Sequence, residues 1–356
     1  MTQVTQAMTE VFAAVPMQSI GPIKLSGDIS DEVMLPLATF ETPLWASTAR
    51  GAKISRLVKS GISVTLLSTS MTRSIALEAP DAQTARAITQ KLDIQTIQIP
   101  ISETSRFAKL INIQTEILGK IIYCRLVFTT GDASGHNMAT KAADAVLNYL
   151  LKTHPTLRYI SISGNFCCDK KVSAVNSLLG RGKSVIAEII IPKEICEKHL
   201  RTSPEKIAEL NTKKNLLGSI LAGSLRSANA HFANVLLAAY LATGQDAANI
   251  VEGSQGITFA EVLSDGSLYF CIKCPNLIIG TVGNGKHLSF VQENLKNLNC
   301  LEKNKLPGQN SERLAMIIAA GVLCCELSLL AAQTNPGELM RAHLLLERQA
   351  QLGAPQ

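Results

Sequence analysis

Twelve consecutive apolar or small residues, Leu314-Ala-Met-Ile-Ile-Ala-Ala-Gly-Val-Leu-Cys-Cys325, constrain this chain more than any other segment. The run stops at Glu326, and its apolar character predicts a helix over residues 311–332. Crossing a bilayer takes about 20 apolar residues, so the run is too short to span one. A helix that is apolar on every face must be enclosed by other elements. That requires a large core, and 356 residues supply one, with roughly two domains by length. The balance of 46% hydrophobic and 17% charged residues is that of a globular chain.

Strand-like and helix-like runs alternate in the middle of the chain. Ser74–Ala79 reads as a strand, and Pro80-Asp81 opens a helix to Leu92 with Asp81 as its N-cap. Ile121–Thr129 is a β-rich run. A Gly-rich turn leads from it to a helix over about Asn137–Leu151, with Met138, Ala142, Ala145 and Tyr149 on one face. Leu157–Ser163 is another strand. This stretch has the pattern of a compact α/β unit of ferredoxin-like type. The flanks differ. Ser184–Pro192 is a strand, and Ser227–Thr243 is an Ala/Leu-rich helix stopped by Gly244. Ile257–Leu263 and Ser267–Lys273 flank the hairpin signal Asp265-Gly266. The expected architecture is α+β: a large helix-rich domain of residues 1–72 and 160–356, with a small inserted α/β domain of residues 73–159.

Charge and cysteine usage narrow the function. The net charge of +6 comes with only 4% aromatics and no Lys/Arg block, which disfavours nucleic acid and suits a small polyanionic ligand. Nine cysteines, an odd count with Cys167-Cys168 and Cys324-Cys325 adjacent, do not form a disulfide framework. Cys271-x-x-Cys274 is a lone pair in a strand-like run, so it reads as buried thiols; no metal site is expected. The N-terminus lacks a basic-then-apolar signal. The expectation is a cytoplasmic protein with no membrane partner.

Several segments carry chemistry-bearing residues. Gly131-Asp-Ala-Ser-Gly-His-Asn137 joins a strand to a helix, where backbone N–H groups favour phosphate, although such a turn is more often simple chain reversal. Gly280-Thr-Val-Gly-Asn-Gly285 is a second such loop. Ser163-Gly-Asn-Phe-Cys-Cys-Asp-Lys-Lys171 sets two lysines just before a short helix, an unfavourable place for cations that suggests an anionic partner. Glu41 lies in a largely apolar segment, where a carboxyl with a raised pKa can act as an acid. Asp246 follows the Gly244 helix stop, and His343 lies after Asn335-Pro-Gly337. Singly, each also reads as an ordinary loop or surface residue.

Together these segments resemble one family, the 3-hydroxy-3-methylglutaryl-coenzyme A (HMG-CoA) reductases. The resemblance rests on Glu41 with Ser47-Thr-Ala-Arg-Gly51, Gly131–Met138, Ser163–Lys171, Gly180-Arg-Gly-Lys-Ser184, Asn229-Ala-His-Phe-Ala-Asn234, Gly244-Gln-Asp-Ala-Ala248, Gly280-Thr-Val-Gly283 and Glu326-Leu-Ser-Leu-Leu. They occur in the family's order and nearly its spacing, from about Pro16 to Arg348. The resemblance implies NADPH-dependent reduction of HMG-CoA to mevalonate and free coenzyme A. Glu41, Lys170, Asp246 and His343 fall on the catalytic positions. Coenzyme A contacts fall on Ser47, Thr48, Ala49, Arg50, Gly51, Ala52 and Lys53, and on His199, Leu200 and Arg201. The nucleotide site falls on Ser105, Arg106 and Phe107, with Asp132, Ala133, Ser134, Gly135, His136 and Asn137. Contacts to the hydroxymethylglutaryl group fall on Arg73, Ser163, Lys171, Lys214 and Asn234, and His231 supports the site.

The chemistry explains these residue types. Each hydride addition builds charge on oxygen, which a fixed Lys170 ammonium stabilises and Glu41 protonates, with Asp246 coupling the two. An imidazolium at His343 protonates the departing thiolate. Ser105-Arg106 resembles the pair that meets a 2′-phosphate, which favours NADPH over NADH. The resemblance also implies a homo-oligomer, dimer or tetramer, because the family's sites form between subunits. It begins downstream of the family's Glu-Asn-Val segment, and Ser134, His136, Ala49 and Asn284 depart from the usual residues. Gln349 stands where animal members carry a regulatory phosphoserine. The alternative is a non-catalytic or altered-specificity relative that binds acyl-coenzyme A and NADP.

Overall fold

The computed structural model describes residues 13–341 and Leu344. Nine strands form a continuous hydrogen-bonded network. They are β1 (Met17–Gly27), β2 (Asp31–Ala38), β3 (Ile62–Glu78), β4 (Lys109–Leu118), β5 (Ile121–Thr129), β6 (Arg158–Ser161), β7 (Gly182–Ile191), β8 (Ile257–Val262) and β9 (Leu268–Leu277). The larger sheet has the order β2-β1-β3-β7-β9-β8. All its pairs are antiparallel except β1 with β3.

The strand β3 threads two sheets. Ser63–Ser70 pairs with β7 in the larger sheet, and Met71–Glu78 pairs with β5 in a smaller sheet that β4 and β6 complete. Each half has its own core. In the smaller one, Ile75, Leu77, Leu126 and Phe128 meet Ala142, Val146 and Leu150 of the His136–Thr153 helix. In the larger one, the Gln309–Gln333 helix runs through the centre, with 21 residues buried. Its length and composition would allow it to cross a membrane, yet 94% of its most apolar window is buried in the fold. Each buried Leu, Ile or Met there contributes about 1.5–3 kcal/mol. Glycine sets the packing distance: a Cβ on Gly51 would lie 2.1 Å from the Cys324 carbonyl oxygen, and one on Gly321 would lie 2.2 Å from Leu35.

Several expected elements change extent. The Ser227–Thr243 helix starts only at Phe232, because Ala228 is held across to Gly256 and Thr258 and the Asn229 side chain caps the Phe232 N–H at 3.2 Å. The Asp81-capped helix ends at Thr89, with the Asp81 carboxylate accepting from the Thr84 N–H at 2.7 Å. The expected strand at Ser74 is the last third of the 17-residue β3. The Asp265-Gly266 hairpin forms between β8 and β9, and Gly266 takes φ +82°. All nine cysteines are free thiols.

Candidate active site

Lys170 and Asp246 meet directly. The Lys170 ammonium lies 2.6 Å from the Asp246 carboxylate, and both side chains are about two-fifths exposed. That hydrogen bond raises the Lys170 pKa above its ordinary value, so the ammonium persists at neutral pH. Asp246 caps a short turn by accepting from the Ala248 N–H at 3.1 Å. Lys170 belongs to a loop in which Asn165, Cys168 and Lys170 all take left-handed φ of 59°, 44° and 55°. Such backbone needs support from its surroundings.

That support is a buried ion-pair network. Arg181, 1% exposed, reaches Glu252 and Asp169 with its two terminal nitrogens, each at 2.7 Å. Glu252, with an exposure of 0%, also accepts from the Lys170 backbone N–H at 3.3 Å and from Asn249 at 2.8 Å. The same carboxylate therefore ties the Lys170 loop to the turn that carries Asp246. Burial works to raise the Asp169 carboxyl, but His136, Arg181 and Lys170 outweigh it and hold the group below the ordinary carboxylate range. The His136 ring nitrogen is 3.6 Å from Asp169, too long for a hydrogen bond. Arg73 approaches Asp169 at 3.8 Å. Sequence reasoning quoted Arg181 within the Gly180-Arg-Gly-Lys-Ser184 motif but gave it no role, and it passed over Glu252.

The two Gly-rich loops pack on each other beside this pair. Ala133 bridges to Val282, and the Thr281 N–H donates to the Asp132 carbonyl at 2.8 Å. A Cβ on Gly280 would lie 2.3 Å from the Ser134 nitrogen, so only glycine allows this approach. Gly135, at φ +96°, starts the His136–Thr153 helix without a side-chain cap, which leaves its first N–H groups free for an anion. Arg73, residues 133–138, Lys170, Asp246 and Lys286 line one cleft of about 560 Å³. Asp132 faces away from it, its carboxylate accepting from the Ser311 N–H at 3.0 Å and joining the loop to the long helix. The aromatic ring of Phe107 packs near Gly131, and the Arg106 guanidinium lies 4.7 Å above that ring. The Ser105 hydroxyl accepts from the Phe107 N–H.

Glu41 belongs to a different cleft. It shares that cleft with Ser47, Arg50, His231, Asn234 and Ser328, and its carboxylate accepts from the Asn234 amide at 2.8 Å. Arg50 joins two expected segments here, donating to the Leu200 carbonyl at 2.5 Å and pairing with Glu338 at 3.5 Å. His199 sits near Lys53 and Lys198, and partial burial and those two cations hold its pKa below the ordinary value. Arg201 completes this basic edge, its carbonyl held by Asn335. Ala49 is exposed, whereas Thr48, Gly51 and Ala52 turn inward against the long helix, so their role is packing rather than lining the cleft.

His231 is bracketed by Glu326 on one ring nitrogen and Cys325 on the other, each at 3.1 Å. Burial opposes charge on the ring, but Cys325 and Glu326 outweigh it and raise the pKa to about 10. The ammonium of Lys214 donates to Asn215 at 3.0 Å, and burial lowers its pKa. Lys171 donates to the Asp169 carbonyl, and Ser163 is fixed by the Ser161 hydroxyl.

The expected coupling of Lys170 and Glu41 through Asp246 does not occur within one chain. Asn234, the partner of Glu41, lies in the first turn of the Phe232–Ala242 helix, while Asp246 lies beyond its other end. At a rise of 1.5 Å per residue that helix is about 16 Å long. The expected set accordingly divides, with Arg73 and Lys170 in one cleft and Asn234 and Glu41 in the other. His343 lies outside the described residues.

The family model for hydroxymethylglutaryl-coenzyme A reductase matches residues 1–348. The 3-hydroxy-3-methylglutaryl-coenzyme A reductase of Pyrococcus abyssi is 44% identical over 339 residues, covering 94% of this chain and 82% of that protein. Reductase 2 of Dictyostelium discoideum is 41% identical over 352 residues, covering 97% of this chain and 66% of that one. Among solved structures, the class II reductase from Streptococcus pneumoniae bound to NADPH in open conformations has a TM-score of 0.71 at 18% identity, covering 94% of this chain and 88% of that one. That likeness establishes a shared mixed helix-and-sheet fold, and the long matches settle the family: this chain belongs to the hydroxymethylglutaryl-coenzyme A reductases.

Proposed function

We propose that this chain reduces HMG-CoA to mevalonate and free coenzyme A with two NADPH, in a site completed by a second copy of itself. The observation that carries the reading is the Lys170–Asp246 pair at 2.6 Å beside the uncapped helix at Gly135, with Glu41 held in a separate cleft. A reaction that needs both Lys170 and Glu41 requires a partner to bring the two clefts together. A candidate contact surface is at hand: Leu178, Leu179, Leu217, Ile220 and Leu221 are exposed on segments flanking the Lys170 loop. The Gln255 amide ties those segments together, donating to the Ser173 and Leu225 carbonyls.

Residues 73–159 form, in this reading, a small ferredoxin-like cofactor domain inserted in a larger substrate domain of residues 1–72 and 160–356. The glycine cradle at Gly135 and Gly280 fits a dinucleotide, and Arg106 beside it suits the 2′-phosphate of NADPH. NADPH bound there supplies a hydride at each of the two reductive steps. Lys170 stabilises the oxyanion that forms on the thioester carbonyl carbon's oxygen, and again the alkoxide formed from the aldehyde. Glu41 delivers the proton to that oxygen. His343 protonates the coenzyme A thiolate as the carbon–sulfur bond of the hemithioacetal breaks, and the hydroxyl proton returns to Glu41 as the aldehyde carbonyl forms. Arg50, Lys53, His199 and Arg201 supply a basic edge for the coenzyme A phosphates. The reading includes a cytoplasmic location, with which nine free cysteines are in keeping.

Absorbance decay of NADPH with HMG-CoA, run beside NADH and a second acyl-coenzyme A, tests the reading. Oxidation is expected only with HMG-CoA and faster with NADPH. No oxidation with any pair would refute it.

A further inference from the structure

Lys286 lines the Lys170 cleft although it is only 7% exposed. Its ammonium donates to the Gly244 carbonyl, while an ammonium carries three donors. Among the described residues no carboxylate pairs with it, whereas Lys170 has Asp246 and Arg73 has Asp169. Gly283 and Gly285, at φ +105° and +79°, turn the loop inward, and a Cβ on Gly285 would lie 2.9 Å from the Gly244 oxygen. The backbone is thus shaped to bury a cation that has no counter-charge. Burial alone lowers its pKa to about 8. An uncompensated buried charge is costly unless a ligand supplies its opposite.

We propose that Lys286 is a phosphate ligand in the cofactor cleft, gripping the dinucleotide pyrophosphate together with the uncapped N-terminus of the His136–Thr153 helix. The assignment rests on the cofactor reading above. The pyrophosphate is favoured over the 2′-phosphate because Lys286 shares its cleft with Lys170 and the Gly135 turn, whereas Arg106 lies outside that lining. The pyrophosphate is common to NADPH and NADH, so the two cofactors separate the possibilities.

Binding of both nucleotides to the full chain, wild type and Lys286→Met, tests this by calorimetry. A lost charge-assisted hydrogen bond predicts weakening of about tenfold or more for NADPH and NADH alike. Weakening of NADPH alone, or of neither, overturns the assignment. If the wild type binds neither nucleotide, it is the cofactor reading that fails.

A second measurement follows protons. At about pH 8.5 Lys286 is largely neutral, so anion binding should recharge it and take up protons, read from the buffer dependence of the binding enthalpy. Arg73, His136, Asp169, Lys170 and Asp246 also line the cleft. Lys170 stays charged and Asp169 and Asp246 stay ionised at that pH, given the directions of their shifts. Lys286→Met, measured at saturating nucleotide, should lose the uptake. Absence of uptake in the wild type, or its full retention in Lys286→Met, overturns the proposal.

Discussion

The Arg181–Glu252 pair beneath Lys170 allows a quantitative test. Both side chains are essentially buried, and Arg181 also serves Asp169. Arg181→Met leaves the Glu252 carboxylate buried without its cation, which costs about 3–5 kcal/mol. Glu252→Gln leaves Arg181 paired with Asp169 and removes one charge-assisted bond, which costs about 1–3 kcal/mol. The double variant removes both the orphaned carboxylate and the bond it lost. Its cost should fall short of the summed single costs by at least about 1 kcal/mol. Urea unfolding followed by circular dichroism measures all four proteins. Costs that add within about 0.5 kcal/mol would refute the coupling. Acid gives an independent check. Burial already raises the Glu252 pKa against the pull of Arg181. Without Arg181 the group should rise further, so the Arg181→Met penalty should shrink as pH falls and Glu252 takes up a proton. A penalty that grows on acidification would contradict this account.

Four further outcomes are expected. Lys170→Ala should abolish reduction of both HMG-CoA and free mevaldehyde; substantial aldehyde turnover would rule out its oxyanion role. His343→Gln should block thioester reduction yet spare mevaldehyde, and equal loss on both would remove the thiolate-protonation role. Gly280→Ala places a Cβ 2.3 Å from the Ser134 nitrogen, so the two loops must part, at a cost of about 1–3 kcal/mol in stability and a weaker NADPH affinity by titration. His231, raised to about 10 against an unfolded value of about 6.5, contributes stability that is complete below about pH 6.5 and is lost as pH rises through about 10. Cys325→Ala should lower that pKa, read from imidazole nitrogen shifts by NMR, and an unchanged titration would show that the sulfur contact contributes nothing.

The sequence made the elements legible where one local signal acted alone. The Asp81 cap, the Asp265-Gly266 hairpin and the long apolar helix each follow from a few neighbouring residues, and each forms. It failed where partners are remote. Strand β3 reads as one short strand because its first part pairs with β7, more than a hundred residues later. The start of the Phe232 helix is set by Gly256 and Thr258, not by its own propensity. The site divides along the same line. Lys170, Asp246, Glu41 and Asn234 were legible as motif residues, and two pairs among them do form. Arg181 stood in a quoted motif without a role and Glu252 was not singled out, because a buried ion pair leaves no periodic trace in either of its two segments. The division of Glu41 and Lys170 between two clefts was not legible in sequence order, although the resemblance implied sites formed between subunits. Under the proposed function, Glu41 and Lys170 act together although they line two clefts, which is the ground for proposing a second copy of the chain. Two inactive variants, Glu41→Gln and Lys170→Ala, should therefore restore part of the activity when mixed and allowed to exchange subunits, because one of the two sites in a mixed dimer then has both residues intact.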